Sequence, residues 1–202
     1  MSILLIAGSP SERSRSAVLL DAVARRLKTR LDARAVAVER LHIRDLSPQA
    51  LLLADTGNAG IARAVAQVER ARVLVVATPV YKAAYSGVLK VFLDLLPQSA
   101  LKGKTVLPLA TGGSTHHMLA LDYALRPVLQ SLAARLILPG VYATEAQLPR
   151  DLSGEYGVTA EIGLRLDDAV NTLLHEELQR QPSPHPAPAW RPLRFDQVRC
   201  SV

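Results

Sequence analysis

Three short stretches of this chain carry residue types able to hold and position a ligand, and each follows an apolar run. GSPSERSRS (Gly8 to Ser16) offers four serines with Arg13 and Arg15 behind Ile3 to Ala7. TPVYKAAY (Thr78 to Tyr85) offers Pro79, Tyr81, Lys82 and Tyr85 behind Val73 to Ala77. Thr111-Gly112-Gly113-Ser114 follows TVLPLA, Thr105 to Ala110. A hydroxyl-rich loop entering a helix suits a phosphate: free N–H groups point outward, the helix dipole favours an anion, and an arginine forks onto the oxygens. A loop with two tyrosines and a proline suits a flat ring, and paired glycines let backbone N–H groups approach closely. The plainer readings are a helix cap from Ser14 or Ser16, an ordinary crossover loop, and a tight turn. A cap needs only one serine, however, and a crossover loop is normally short. Neither GxGxxG nor GxxxxGK[ST] is present, so a mononucleotide phosphate held by hydroxyls fits better than a pyrophosphate held against glycines.

Composition narrows the setting. The 202 residues are 49% apolar and 21% charged, enough for one cored domain and too apolar for a disordered chain. Net charge is +6, yet the basic residues are dispersed, with no stripe or RNA-binding aromatic motif; a phosphorylated small molecule is favoured and nucleic acid is not expected. Cys200 is the one cysteine, so neither a disulfide framework nor a CxxC pair exists, and redox chemistry would have to come from a bound cofactor. His116 and His117 lack partners at ligand spacing and read as surface or ring-edge residues, with no metal site expected. No apolar run reaches membrane-span length and Ile3 to Ala7 is too short for a signal-peptide core, so a cytoplasmic, membrane-independent protein is expected.

The elements that must position these loops follow from periodicity. Ile3 to Ala7 and Val73 to Ala77 predict strands buried on both faces; Ala35 to Leu41, partly alternating, predicts a strand nearer an edge. Leu19, Val23, Leu27 and Leu31 predict a first helix beginning near Ser14 to Ser16. Ile61, Ala64, Val65 and Val68 predict a second. Residues 42 to 57 read as loop, with Leu46, Leu51, Leu52 and Leu53 over the core or in a subunit contact. Ser86 stands at an N-cap before Val88, Leu89, Phe92, Leu93 and Leu96, and Pro97 stops that helix. Thr105 to Ala110 predicts a fourth strand in which Pro108 requires a bulge or strand end. A helix from about Thr115 to Leu136 should kink or π-bulge, because Pro127 leaves the Tyr123 carbonyl without its usual donor. Ile137 to Ala143 predicts a fifth strand broken at Pro139-Gly140, residues 144 to 158 read as loop, and Ile162 to Leu174 line a last helix ending near Gln181. The proline-rich residues 182–202, with Trp190 and Phe195, form a tail that is disordered or an intersubunit arm, leaving residues 1–181 as the domain. Five βα units give a doubly wound five-stranded parallel sheet, order 2-1-3-4-5, whose switch point lies between strands 1 and 3.

GSPSERSRS, ATPVYKAAYSGVLKVFLDLLP and LPLATGGS together resemble the NAD(P)H-dependent FMN reductases, most closely the alkanesulfonate-utilisation type, over roughly Ile3 to Gln181. The resemblance implies a flavodoxin-like fold, FMN with NADPH or NADH as the nicotinamide, and a homo-dimer or homo-tetramer that supplies reduced flavin to a partner monooxygenase. It places Ser9, Arg15 and Ser16 on the FMN phosphate. Pro79, Val80, Tyr81 and Lys82 then frame the ring, and Thr111, Gly112, Gly113 and Ser114 line its other edge. In ALDYALRP it places Tyr123 in a π-helix at a subunit interface, and from that position we expect the Tyr123 region to gate flavin exchange. One departure is Ser11-Glu12, where many relatives carry an arginine soon after GSP. Hydride transfer to a flavin requires no protein nucleophile, so no catalytic residue is expected. Competing readings are a quinone or azo-compound reductase that retains FMN, a flavodoxin-type electron carrier, and a nucleic-acid-binding module.

Overall fold

Residues 2–31, 36–152 and 154–179 are described by the computed structural model. The tail residues 182–202 lie outside that set, as does Ala35. Strands β1 (Ser2–Ala7), β2 (Ala37–His42), β3 (Val73–Tyr81), β4 (Ala84–Tyr85), β5 (Thr105–Gly112), β6 (Leu136–Ile137) and β7 (Val141–Thr144) form one sheet with spine β2-β1-β3-β5-β6. The strand β4 folds back on the end of β3, and β7 continues along β5 beyond β6. Counting β6 and β7 as one strand broken at Pro139-Gly140 restores the order 2-1-3-4-5, all parallel, with β2 at an edge.

Both faces of the central strands are apolar because helices cover both. On one face Leu4, Ile6, Leu74 and Val76 meet helix α3 (Ala59–Arg70) through Ile61 and Val68. They also meet α4 (Gly87–Asp94) through Leu89 and Phe92. On the other, Ile3, Leu5, Val73 and Val75 meet α1 (Arg15–Leu31) through Leu19, Val23 and Leu27, and α6 (Ala160–Leu178) through Ile162, Leu166 and Val170. Period-two strands and four-spaced helices each supply their own face.

Three local expectations are corrected. Residues 42–57 are not all loop: a 3-10 turn, Ile43–Asp45, precedes the short helix α2 (Pro48–Leu52), whose Ser47 hydroxyl accepts from the Ala50 N–H at 3.3 Å. Ser47-Pro48 is a cap followed by an N1 proline. Of the leucines there, Leu51 is buried while Leu52 and Leu53 are exposed. Pro108 does not bulge β5, which pairs β3 without interruption from Thr105 to Thr111. The ladder lapses instead on the opposite side, between the β6 and β7 pairings, where Pro139-Gly140 breaks the neighbour. There a Cβ on Gly140 would stand 3.2 Å from the Pro108 carbonyl oxygen. Finally, the helix expected from Thr115 to Leu136 is shorter and composite. A 3-10 turn (Thr115–His117) is followed by a π-helix (Leu121–Leu125) and α5 (Arg126–Ser131). The Arg126 N–H reaches the Leu121 carbonyl five residues back, just before Pro127. Ala133, at φ 63°, ends the run, and Leu136 belongs to β6.

Two polar clusters fasten the sheet at opposite ends. At the amino edge, Glu177 of α6 is fully enclosed, accepting from Arg72 Nε and from the Thr105 hydroxyl, each at 2.6 Å; Arg135 stands 3.4 Å away. At the carboxyl edge, Ser86 caps α4 by accepting from the Leu89 N–H at 3.3 Å while donating to the Gly8 carbonyl. Gly8 in turn donates to the Ala77 carbonyl at 2.8 Å, and the Ser86 N–H donates to the Thr78 hydroxyl at 3.0 Å. Gly8 has no room for a side chain: its Cβ would stand 3.0 Å from the Ala77 oxygen and 3.1 Å from Leu89.

Glu177→Ala leaves two arginines and a buried threonine without their shared acceptor, so chemical denaturation should show a loss of about 2 kcal/mol. Ser86→Ala removes a cap and strands a buried carbonyl; the expected loss, read by the same titration, is about 2 kcal/mol.

Candidate functional site

The loop after β1 and the carboxyl ends of β3 and β5 open into one cleft at the carboxyl edge of the sheet, beside the β1/β3 switch point. Pro79 to Tyr81, expected in a loop from Thr78 to Tyr85, instead continue β3 because β4 pairs back on Val80 and Tyr81. Ser9, Arg15, Pro79, Val80, Tyr81, Thr111, Gly112 and Gly113, drawn from three separated stretches, all line it. Ser16, Lys82 and Ser114 do not line the cleft, and each sits in a wall element instead.

The first wall is the entry to α1. The Ser14 hydroxyl accepts from the Ala17 N–H at 3.1 Å, and Ser16 is buried behind it, hydroxyl to hydroxyl at 3.3 Å. Ser9, buried, accepts from the Ser11 N–H at 3.2 Å, which curls the loop over the helix start. Arg13 and Arg15 both face the cleft. Arg15 pairs with Glu145 at 3.2 Å and stacks on the Tyr156 ring at 4.8 Å, with Arg150 at 4.6 Å from the same ring. Its Nε–H is buried without a hydrogen-bond partner. An orphaned guanidinium donor, the lining hydroxyls of Ser9, Ser11 and Ser14, and a helix N-terminus make a donor set that fits a phosphate.

The second wall is a hairpin. Val80 pairs with Tyr85 and Tyr81 with Ala84, and the two-residue turn between them holds Lys82 at φ 49° and Ala83 at φ 64°. Both central residues are left-handed, the geometry of a type I′ turn, where Asn-Gly is favoured and each bulkier residue costs about 1 kcal/mol. The exposed turn lifts Lys82 out of the cleft and leaves Tyr81 half-exposed at its rim.

The third wall needs its glycines. A Cβ on Gly112 would overlap the Tyr142 hydroxyl, which donates to the Ser114 carbonyl at 2.6 Å. Burial, with the nearby Glu145 carboxylate, pushes the Tyr142 phenol pKa above its ordinary value, keeping it a donor. Ser114 accepts from the His116 N–H at 3.2 Å, capping the 3-10 turn. Tyr123 lies outside the cleft and is highly exposed on the π-helix, which packs against β4 of the hairpin.

Sequence reasoning missed Glu145 and Tyr156 as lining residues, whereas Arg13, Ser11 and Ser14, which also line the cleft, stand in the loop it singled out for a phosphate. Glu145 follows the fifth strand directly, so topology alone puts it at this edge. Tyr156 lies in a patternless loop and gives no such signal. Among the described residues, no group of three or more His, Cys, Asp or Glu is arranged to hold a metal ion, and no helix is long and apolar enough to cross a membrane.

The chain is similar to known proteins along most of its length. The sequence model of the NADPH-dependent FMN reductase family matches residues 1–148. An FMN reductase (NADPH) of Escherichia coli (strain K12) is 44% identical over 172 residues, covering 85% of this chain and 87% of that protein. The crystal structure of an NADH:FMN oxidoreductase, EMOB, in its apo form superposes with a TM-score of 0.77 at 42% identity, covering 91% of each chain. A flavodoxin of Streptococcus pneumoniae TIGR4 shares the fold, with a TM-score of 0.57 at 14% identity over 87% of this chain and 97% of that one. With three-quarters of its length matched and the flavodoxin-like sheet in place, this chain belongs to the NADPH-dependent FMN reductase family.

Proposed function

We propose that this chain reduces FMN at the expense of NAD(P)H and releases the reduced flavin to a partner monooxygenase of sulfonate metabolism. Family membership makes it an NAD(P)H:FMN oxidoreductase. The observation that carries the site assignment is the meeting of three strand ends in one cleft, cationic and hydroxyl-rich at one end and walled by Pro79, Val80 and Tyr81 at the other. FMN, when bound, supplies the hydride acceptor.

The protein's part is placement. Ser9, Arg13 and Arg15 at the start of α1 hold the phosphate, with Ser16 backing Ser14. Pro79, Val80 and Tyr81 seat the ring, and the strained Lys82-Ala83 turn fixes the angle at which they meet it. Thr111, Gly112 and Gly113 present backbone N–H groups where negative charge develops, held in place by Ser114 and Tyr142. No side chain attacks or is attacked, and rate comes from orientation and electrostatics.

Tyr123 gates flavin exchange in this reading, supported by its exposure and by the contact of its π-helix with the hairpin that carries Tyr81. The exposed Met118, Leu119 and Tyr123 support a self-association face there, in a homo-dimer or homo-tetramer.

Apoprotein offered FMN, FAD and riboflavin separately should oxidise NADPH or NADH fastest with FMN; equal rates with riboflavin would remove the phosphate-binding role from the α1 entry. Tyr123→Ala should retain FMN through gel filtration and slow steady-state turnover several-fold with free FMN. Unchanged turnover in that variant would count against gating.

A further inference from the structure

The cationic end of the cleft already contains an anion of the protein's own. Glu145 follows β7, and its backbone N–H donates to the Gly112 carbonyl at 3.1 Å, which fixes the residue beside the glycine pair. Its carboxylate then reaches Arg15, the first residue of α1, at 3.2 Å. A Cβ on Gly113 would lie 3.9 Å from Glu145 Oε1, so the carboxylate occupies the space between the glycine wall and the helix entry. The Glu145 side chain remains 54% exposed and that of Arg15 30% exposed, so the pair is at the cleft surface, where displacement by a ligand costs little. The flanking turn is held independently: Thr144 donates through its N–H and its hydroxyl to Gln147, and the Leu148 N–H donates to the Glu145 carbonyl at 3.1 Å.

We propose that Glu145 is an affinity-setting residue. Its carboxylate competes with the flavin phosphate for Arg15 and weakens binding of phosphorylated flavin. This deepens the reading of the cleft as an FMN site and rests on it. A helix N-terminus and an arginine facing Ser9 and Ser14 would otherwise hold a dianionic phosphate tightly. A fixed carboxylate there raises the free energy of the phosphate-bound state and fills the same guanidinium in the free state. The consequence suits a flavin that must leave after reduction. The other acidic candidate, Glu12, plays no such part: it is 84% exposed, sits 3.9 Å from Arg44, and does not line the cleft.

Flavin fluorescence quenching by the apoprotein, with FMN and riboflavin as separate probes, tests this. Glu145→Gln keeps the shape and removes the charge. FMN should bind about tenfold more tightly, as expected for one charge lost near a dianion at a half-exposed site, and the gain should shrink with added salt. Riboflavin affinity should stay within about twofold, and Glu12→Gln should change neither. FMN affinity that is unchanged or weakened in Glu145→Gln overturns the proposal, as does equal tightening of riboflavin. Failure of the unmodified protein to bind FMN at all would sink the FMN site itself, and this role with it.

Discussion

One buried serine hydroxyl joins two segments far apart in sequence. Ser86 begins α4 and at the same time grips the carbonyl of Gly8 at the end of β1. Water is excluded there, since Ser86 is 1% exposed, so an unmade bond could not be replaced by solvent. The contact is possible only because Gly8 lacks a side chain against the Ala77 carbonyl and Leu89. Gly8 donates back to Ala77, and Thr78 bridges Pro79 and Ser86. The loop after β1 and the end of β3 are thus locked at one mutual distance through Gly8, Thr78 and Ser86, none of which lines the cleft. That is pre-organisation: the cleft is assembled by folding rather than by binding.

Around this tie the site balances opposite demands. Its donors are arranged for an anion at the start of α1, where the helix dipole, two arginines and hydroxyls add together. Yet Arg15 is shared with Glu145 and with the Tyr156 ring, which Arg150 also covers. The same economy of strength recurs in the hairpin, where two left-handed non-glycine residues hold Tyr81 at the rim. Strain of this kind persists only where surrounding structure over-determines it, and here β3 and β4 do so on both sides of the turn. By contrast, the opposite end of the sheet carries the enclosed Glu177 cluster, none of whose members lines the cleft.

The central architecture was legible because its signals are local and redundant. Val73 to Ala77 is apolar throughout since helices cover both its faces, and Ser86 was recognisable as a cap before a four-spaced apolar helix. The π-helix was legible for a different reason: Pro127 lacks a donor that a neighbouring carbonyl needs, and the backbone must respond. What escaped were effects that depend on neighbours. Pro108 was expected to distort its own strand, but the next strand yields instead at Pro139-Gly140. Ala133 ends a helix in a left-handed conformation with no glycine to announce it. Tyr156 lines the cleft and Arg150 stacks on its ring through a loop whose path is set by tertiary contact, so residue type alone could not place them, while Glu145 was signalled only by its position directly after the fifth strand.

The central claim is that three separated turns form one flavin seat. Amide hydrogen exchange of the apoprotein with and without FMN addresses it directly. Protection should rise together in residues 8–17, 79–86 and 111–115, with α3 unaffected. Protection confined to a single turn, or to the apolar groove between Ile43, Leu51 and Val88, would contradict it.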